Sequence, residues 1–150
     1  MKRASIVWVL LVAAMVALPA AAAAQLMIIG NDEKIGWNDA GAVVFGPPGK
    51  DSVLVVDIAT PESPKIVASL PLMNSIFGPP TNLAITPDER LAIVANSMNW
   101  VQDGTAWKAA PDNKVYVIDL KARPPKHIAT VEVGKQPSGL ASTGAATSRW

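Results

Sequence analysis

Asp51-Ser52-Val53-Leu54-Val55-Val56-Asp57-Ile58 returns later in the chain as Asn113-Lys114-Val115-Tyr116-Val117-Ile118-Asp119-Leu120. Each copy leads into a Pro-Lys step, Pro64-Lys65 or Pro125-Lys126, and then into a second apolar run. Each then reaches the same kind of turn, Pro80-Thr81-Asn82-Leu83-Ala84 or Pro137-Ser138-Gly139-Leu140-Ala141. The valine-rich stretch from Val53 to Ile58 has the continuous apolar character of a strand covered on both faces. A repeated unit of short strands cannot bury its own apolar face and must stack on copies of itself. The reading is therefore an all-β chain built from stacked sheets.

Working outward, further strands are predicted at Gln25 to Gly30, Ala42 to Phe45, Ile66 to Leu70, Asn82 to Thr86, Leu91 to Ala95 and Ile128 to Val133. Asn31 to Asn38, which contains Trp37, is predicted as a loop, and so is Met73 to Pro80. Thr60-Pro61-Glu62-Ser63-Pro64 is a turn, because two prolines so close together forbid a helix or a central strand. Thr86-Pro87-Asp88-Glu89-Arg90 is a hairpin turn: proline presets the backbone and aspartate makes local turn bonds. No window carries a 3.6-residue apolar period, so few helices are expected. Val117, in the middle of its strand, is expected to be buried, so an aspartate there would be costly.

Four short strands per unit, joined by tight turns, describe one blade of a β-propeller. The segment Pro80-Thr81-Asn82-Leu83-Ala84-Ile85-Thr86-Pro87-Asp88-Glu89-Arg90-Leu91-Ala92-Ile93-Val94-Ala95-Asn96 resembles the repeat core of YVTN-type (YncE-like) β-propellers, whose repeats are WD40-like. Ile93-Val94-Ala95-Asn96 sits where that family carries its naming tetrapeptide, and Val115 to Asp119 looks like its next strand. The resemblance covers roughly Ser52 to Ala141. It implies about two to three four-stranded blades, an incomplete ring of a seven-bladed parent. It gives Asp57, Pro87, Asp88, Asn96 and Asp119 structural places in the repeat, and it is nearly silent on activity.

Two departures from the family pattern matter. Asp57 and Asp119 lie 62 residues apart, whereas a propeller blade takes about 40–45. The excess is mostly Ser97 to Asp112, read as an insertion between strands. A closed ring of about 4–8 blades also needs roughly 160 residues or more. The partial repeats span 25–141, and Ser142 to Trp150 forms an atypical tail where further strands are due. The expectation is a truncated or frame-disrupted product of a longer gene. The alternative is an open domain completed by a partner or by self-association through its strand edges.

Met1-Lys2-Arg3, the uncharged apolar run Ile6 to Leu18, the helix-breaking Pro19 and the small residues Ala20 to Ala24 follow the layout of a secretory signal peptide over 1–24. Cleavage is expected between Ala24 and Gln25, leaving a periplasmic or secreted protein with no stable membrane insertion. Export permits disulfides, but the chain has no cysteine. Thiolate zinc sites, iron–sulfur clusters and Cys-attached haem are thereby excluded. His127 is the only histidine, so no multi-histidine metal centre can form within one chain, and no cofactor or metal is predicted. Of 13 basic and 12 acidic residues, Lys2 and Arg3 lie in the leader, so the mature chain is close to neutral. No basic run interleaves with aromatics, and nucleic acid is not an expected partner.

The best candidates for ligand binding are Trp100, Gln102, Asp103 and Trp107, on what reads as a loop too long for a minimal connection. The two indole rings offer flat apolar faces for a sugar, a quinone or another ring. The plainer account is that they pin the loop onto the sheet. Asp57 and Asp119 end equivalent strands, where paired carboxylates could serve acid–base work or hold a cation. The plainer account there is turn capping. Asp103-Gly104 matches only a fragment of a calcium loop. Gly46-Pro47-Pro48-Gly49-Lys50 lacks the glycine spacing and the Ser or Thr of a phosphate loop. No Gly-x-Ser-x-Gly elbow is present. The leading reading is a binding or scaffold module for an unknown protein or small molecule. A lactonase-like or quinoprotein-dehydrogenase-associated propeller is the alternative, on fold analogy alone.

Overall fold

The computed structural model describes residues 25–75 and 82–143. The leader expected over 1–24, residues 76–81 and residues 144–150 of the tail lie outside the described residues. Within the described residues there is no helix, and nine strands form several antiparallel sheets.

The first sheet has the order β1-β4-β5, from β1 (Leu26–Asn31), β4 (Ser52–Asp57) and β5 (Lys65–Leu70). Between β1 and β4 the chain makes a small hairpin of β2 (Ile35–Trp37) and β3 (Val43–Phe45). The second sheet is a four-stranded meander of β6 (Leu83–Ile85), β7 (Leu91–Asp103), β8 (Ala106–Asp119) and β9 (Lys126–Glu132). Among the described residues neither sheet closes on itself.

The repeat read from the sequence is a repeat of register. Leu26 pairs with Asp57 and Asn31 with Ser52, while Leu91 pairs with Asp119 and Asn96 with Lys114. Leu26–Asn31 is thus the counterpart of Leu91–Asn96, a strand match the sequence alone did not bring out. Irregularities fall at matching places too, between Val55 and Val56 in one sheet and between Val117 and Ile118 in the other. Bulges of this kind increase the local twist of a strand. The strand-start contacts correspond as well: Ile58 N donates to Gln25 O at 2.9 Å, and Leu120 N to Arg90 O at 2.9 Å.

The core lies between the two sheets. Val53, Val55 and Leu72 from the first side meet Ala92, Val94, Tyr116, Ile118 and Leu120 from the second, with Leu26, Ile28, Leu70, Leu83 and Ile85 packed around them. Neither sheet could bury this surface alone, which is the physical content of the repeat. The outer strands stay open to solvent, with Ile66, Ile128 and Val131 among the exposed apolar side chains.

Three expectations need correction. Asn31 to Asn38 is not a plain loop, since Ile35–Trp37 pairs with Val43–Phe45. Ser97 to Asp112 is not an inserted loop either: β7 and β8 run on through it as one long hairpin, paired out to Asp103 and Ala106. Toward the tip, Gln102, Asp103 and Lys108 are exposed, while the backbone bonds across the ladder. Finally, Val117 is only half-buried, because the strand sends its neighbours Tyr116 and Ile118 into the core. With a side-chain period of two, a reading one residue out of phase puts the wrong face inside.

Candidate functional site

The two hairpins emerge at one end of the sheet pair and meet there. In β2–β3, Ile35 pairs with Phe45 and Trp37 with Val43, so these four residues share one face. Asn38 closes the turn, its Oδ1 accepting from Ala40 N at 3.0 Å and Ala42 N at 2.9 Å. Gly41 there has φ +76°, a conformation that glycine adopts without a Cβ penalty. Phe45 lies against Trp100 of the long hairpin, ring centroids 4.6 Å apart and planes inclined by 42°. Trp100 is buried, whereas Trp37 is 63% exposed beside exposed Val43 on the same face. The result is an apolar, aromatic surface with one indole open to solvent.

A fully buried ionic cluster anchors the small hairpin. Lys34 is 1% exposed. Its ammonium pairs with the Asp51 carboxylate, lies 3.0 Å from Asp32 Oδ1 and donates to Asn74 O at 2.6 Å. Asp51 also accepts from Asn74 N at 3.1 Å and Glu33 N at 3.3 Å. The Asn74 amide donates to the carbonyls of Asn31, Ser52 and Leu72 at 3.1–3.2 Å. This cluster ties the end of β1, the start of β4 and the segment after β5 into one rigid unit.

The sequence-nominated residues separate into two faces. Gln102 pairs with Trp107, so Trp100, Gln102 and Trp107 lie on one face of the hairpin. Asp103 lies on the other face and forms an exposed ion pair with Lys108. All four stand on paired strands rather than on a free loop. Gln102 Nε2 donates to Gly104 O at 3.3 Å, within the hairpin turn. Among the described residues, no group of three or more His, Asp or Glu side chains is placed to hold a metal ion.

The repeat aspartates serve their own turns. Asp57 Oδ1 accepts from Ala59 N at 2.9 Å, and Asp119 Oδ1 from Lys121 N at 2.8 Å and Ala122 N at 3.2 Å. Asp88 accepts from the Thr86 hydroxyl at 2.6 Å and from Arg90 N at 3.1 Å, in the turn that begins at Pro87. Those two bonds, the hydroxyl first, hold its carboxyl below the usual value. Asn96 is buried and donates to Asp112 Oδ2 at 2.7 Å. His127 is exposed and sits edge-on to Tyr116, 5.7 Å between ring centroids. At the end of the sheets opposite the aromatic surface, a cleft of about 220 Å³ opens between Leu26, Val67, Leu120 and Pro124, with Asp57, Lys121 and Arg123 in its lining.

Comparison with protein-family models, with curated proteins and with solved structures finds no match to this chain. The residues that sequence reasoning missed are Lys34, Asp32, Asp51 and Asn74, together with Phe45 as a partner of Trp100 and the exposed Trp37. Asp51 carried the one available signal. It opens the first copy of the repeat where the second copy has Asn113, a charge difference at a matched position.

Proposed function

We propose that this chain is an exported repeat protein of the propeller type, or part of one, and that it works as a binding module. Its ligand stacks on the exposed Trp37 and Phe45, with buried Trp100 backing Phe45. The propeller reading is supported by the four-stranded meander β6-β7-β8-β9, by the matching registers and bulges of the two sheets, and by a core shared between them. Loops and hairpins at one end of stacked sheets are the usual place for recognition, because the sheets hold them rigid.

The observation that carries the reading is the exposed Trp37 beside a Phe45–Trp100 stack, on a hairpin anchored by buried Lys34. Exposing an indole to water is unfavourable, and a planar apolar ligand recovers that cost while losing little side-chain entropy. The ligand class is a ring with an apolar face, a quinone or a sugar ring. The test is tryptophan fluorescence during titration with a water-soluble benzoquinone and with a series of oligosaccharides. Saturable quenching is expected with one of these classes, together with its loss in Trp37→Ala at unchanged thermal stability. If neither class quenches at millimolar concentration, or if Trp37→Ala binds like the parent, the reading fails.

A further inference from the structure

The repeat leaves one strand edge open and supplies, elsewhere in the same chain, a segment that matches it. In the second sheet β6 covers the edge of β7, with Leu83 opposite Val94, Ala84 opposite Ile93 and Ile85 opposite Ala92. Ala95 N donates to Asn82 O at 2.9 Å and Thr86 N to Leu91 O at 2.9 Å. The backbone groups of Leu91, Ile93 and Ala95 therefore face β6. Their counterparts on β1 are Leu26, Ile28 and Gly30. Among the described residues, no strand pairs with that side of β1. Leu26 N reaches only the Glu89 carboxylate, at 3.4 Å; in the second sheet Leu91 N donates to the Thr86 hydroxyl at 3.0 Å.

The matching segment lies at 137–143. Pro137-Ser138-Gly139-Leu140-Ala141-Ser142-Thr143 follows Pro80-Thr81-Asn82-Leu83-Ala84-Ile85-Thr86 with Pro, Leu, Ala and Thr at the same places. This segment is exposed or half-exposed from Pro137 to Thr143, and it is not paired with β1 of its own chain. Instead Ser142 Oγ donates to Ile85 O at 2.7 Å, on the side of β6 that faces away from β7. Among the described residues, a copy of the β6 strand is thus presented without a β7-type partner, and β1 is a β7-type strand without a β6.

We propose that the chain assembles head to tail with a second copy of itself. Residues 139–143 of one copy pair antiparallel with β1 of the next. Carrying the β6–β7 register across places Leu140 opposite Ile29, Ala141 opposite Ile28 and Ser142 opposite Met27. The Thr143 hydroxyl then takes the place at Leu26 N that Thr86 holds at Leu91 N. Backbone bonds give such strand addition its affinity, and Leu140 falls on the Met27–Ile29 face of β1, as Leu83 falls on the Ala92–Val94 face of β7. The interface uses two different surfaces, so it either closes into a ring or continues as a filament. With two sheets per copy, a ring of about 4–8 sheets takes about two to four copies. The inference rests on the blade-like repeat but not on any ligand at the aromatic surface. Failure of the quinone and sugar titrations therefore leaves it standing, and its own failure leaves them standing.

The absence of cysteine gives a clean test. Met27→Cys and Ser142→Cys are made in separate copies, mixed and mildly oxidised. Both positions are exposed, and they form a pair whose side chains approach most closely. The expected product is a disulfide between the two different copies. Met27→Cys mixed with Thr143→Cys, one residue out of register and on the other face, gives none. Light scattering on the unmodified protein is expected to give whole-number multiples of the monomer mass. Ala141→Pro removes an N–H that faces β1 of the next copy, leaves the chain's own sheets untouched, and weakens association by about tenfold or more. A monomeric parent, equal cross-linking in both registers, or unchanged association of Ala141→Pro would each overturn the proposal.

Discussion

Replacing Lys34 by methionine keeps much of the side-chain volume and removes the ammonium from a site that is 1% exposed. Asp51 and Asp32, both with fully buried carboxylates, then face each other without the cation between them, and Asn74 O loses its donor. Breaking a buried pair from one side leaves an uncompensated charge and costs about 3–5 kcal/mol. Total stability for a domain of this size is about 5–15 kcal/mol, so the variant should still fold, with a reduced margin. At a urea dependence of about 2 kcal/mol per molar, the loss is a fall in midpoint of roughly 1.5–2.5 M. Equilibrium urea unfolding, followed by near-ultraviolet circular dichroism, reads this directly. Lys34→Met combined with Asp51→Asn removes one of the two stranded charges and keeps an acceptor for Glu33 N. The pair should recover about half of the loss or more, a coupling that a double-mutant cycle isolates. A midpoint shift below about 0.5 M for the single variant, or a double variant less stable than the single one, would refute the reasoning.

Gly30→Ala would place a Cβ 2.7 Å from Asn74 Oδ1 and force that amide off its three carbonyls, a loss of about 2–3 kcal/mol by thermal unfolding. Gly36→Ala, which meets open space, should stay within about 0.5 kcal/mol in the same assay. Ile118→Ala, fully buried, should cost about 2–5 kcal/mol, and Val117→Ala, half-buried next to it, clearly less; equal losses would mean the face assignment is wrong. Tyr116 is raised above its ordinary value of 10.0, first by burial and then by the charges of Asp112 and Asp51. Its folded pKa exceeds its unfolded one, so its contribution is complete below pH 10 and is lost as pH rises through the folded value. Tyr116 is the only tyrosine. Absorbance near 295 nm should therefore show one late titration, with Tyr116→Phe flattening the alkaline fall in stability.

The strand repeat was legible because valine and isoleucine runs bounded by proline and aspartate announce themselves locally. Val53 to Ile58 and Ile66 to Leu70 fall within a residue or so of the observed strands, β4 and β5. Val43–Phe45 falls within the strand read at Ala42 to Phe45, but its partner Ile35–Trp37 was missed, because a three-residue strand carries too little pattern to rise above a glycine-containing polar background. Ser97 to Asp112 read as an insertion because the 62 residues between Asp57 and Asp119 exceed the length of a usual blade. Cross-strand pairing supplies the order there, and pairing is not a property of either strand alone. Trp100 and Trp107 were singled out from composition, but the stacking partner Phe45 became visible only when the two hairpins met. Lys34 was the least legible residue. Its partners Asp51 and Asn74 are brought to it by β1–β4 pairing, and in sequence it sits in what looks like a solvated loop.

The shared core also has a consequence in time. Val53 and Val55 share their core with Tyr116, Ile118 and Leu120, which come from the opposite half of the chain. A chain made from its N-terminus exposes the first half before its packing surface exists. At about 5–20 residues per second, the roughly 60 residues in between take several seconds to appear. Through that interval the sheet β1-β4-β5 presents a valine-rich face with nothing to cover it, and contacts so distant in sequence form slowly even once both halves are present. The vulnerable species is therefore the half-made chain. Holding chaperones, or a pause in synthesis before Leu91, will change its yield more than any improvement to the finished core.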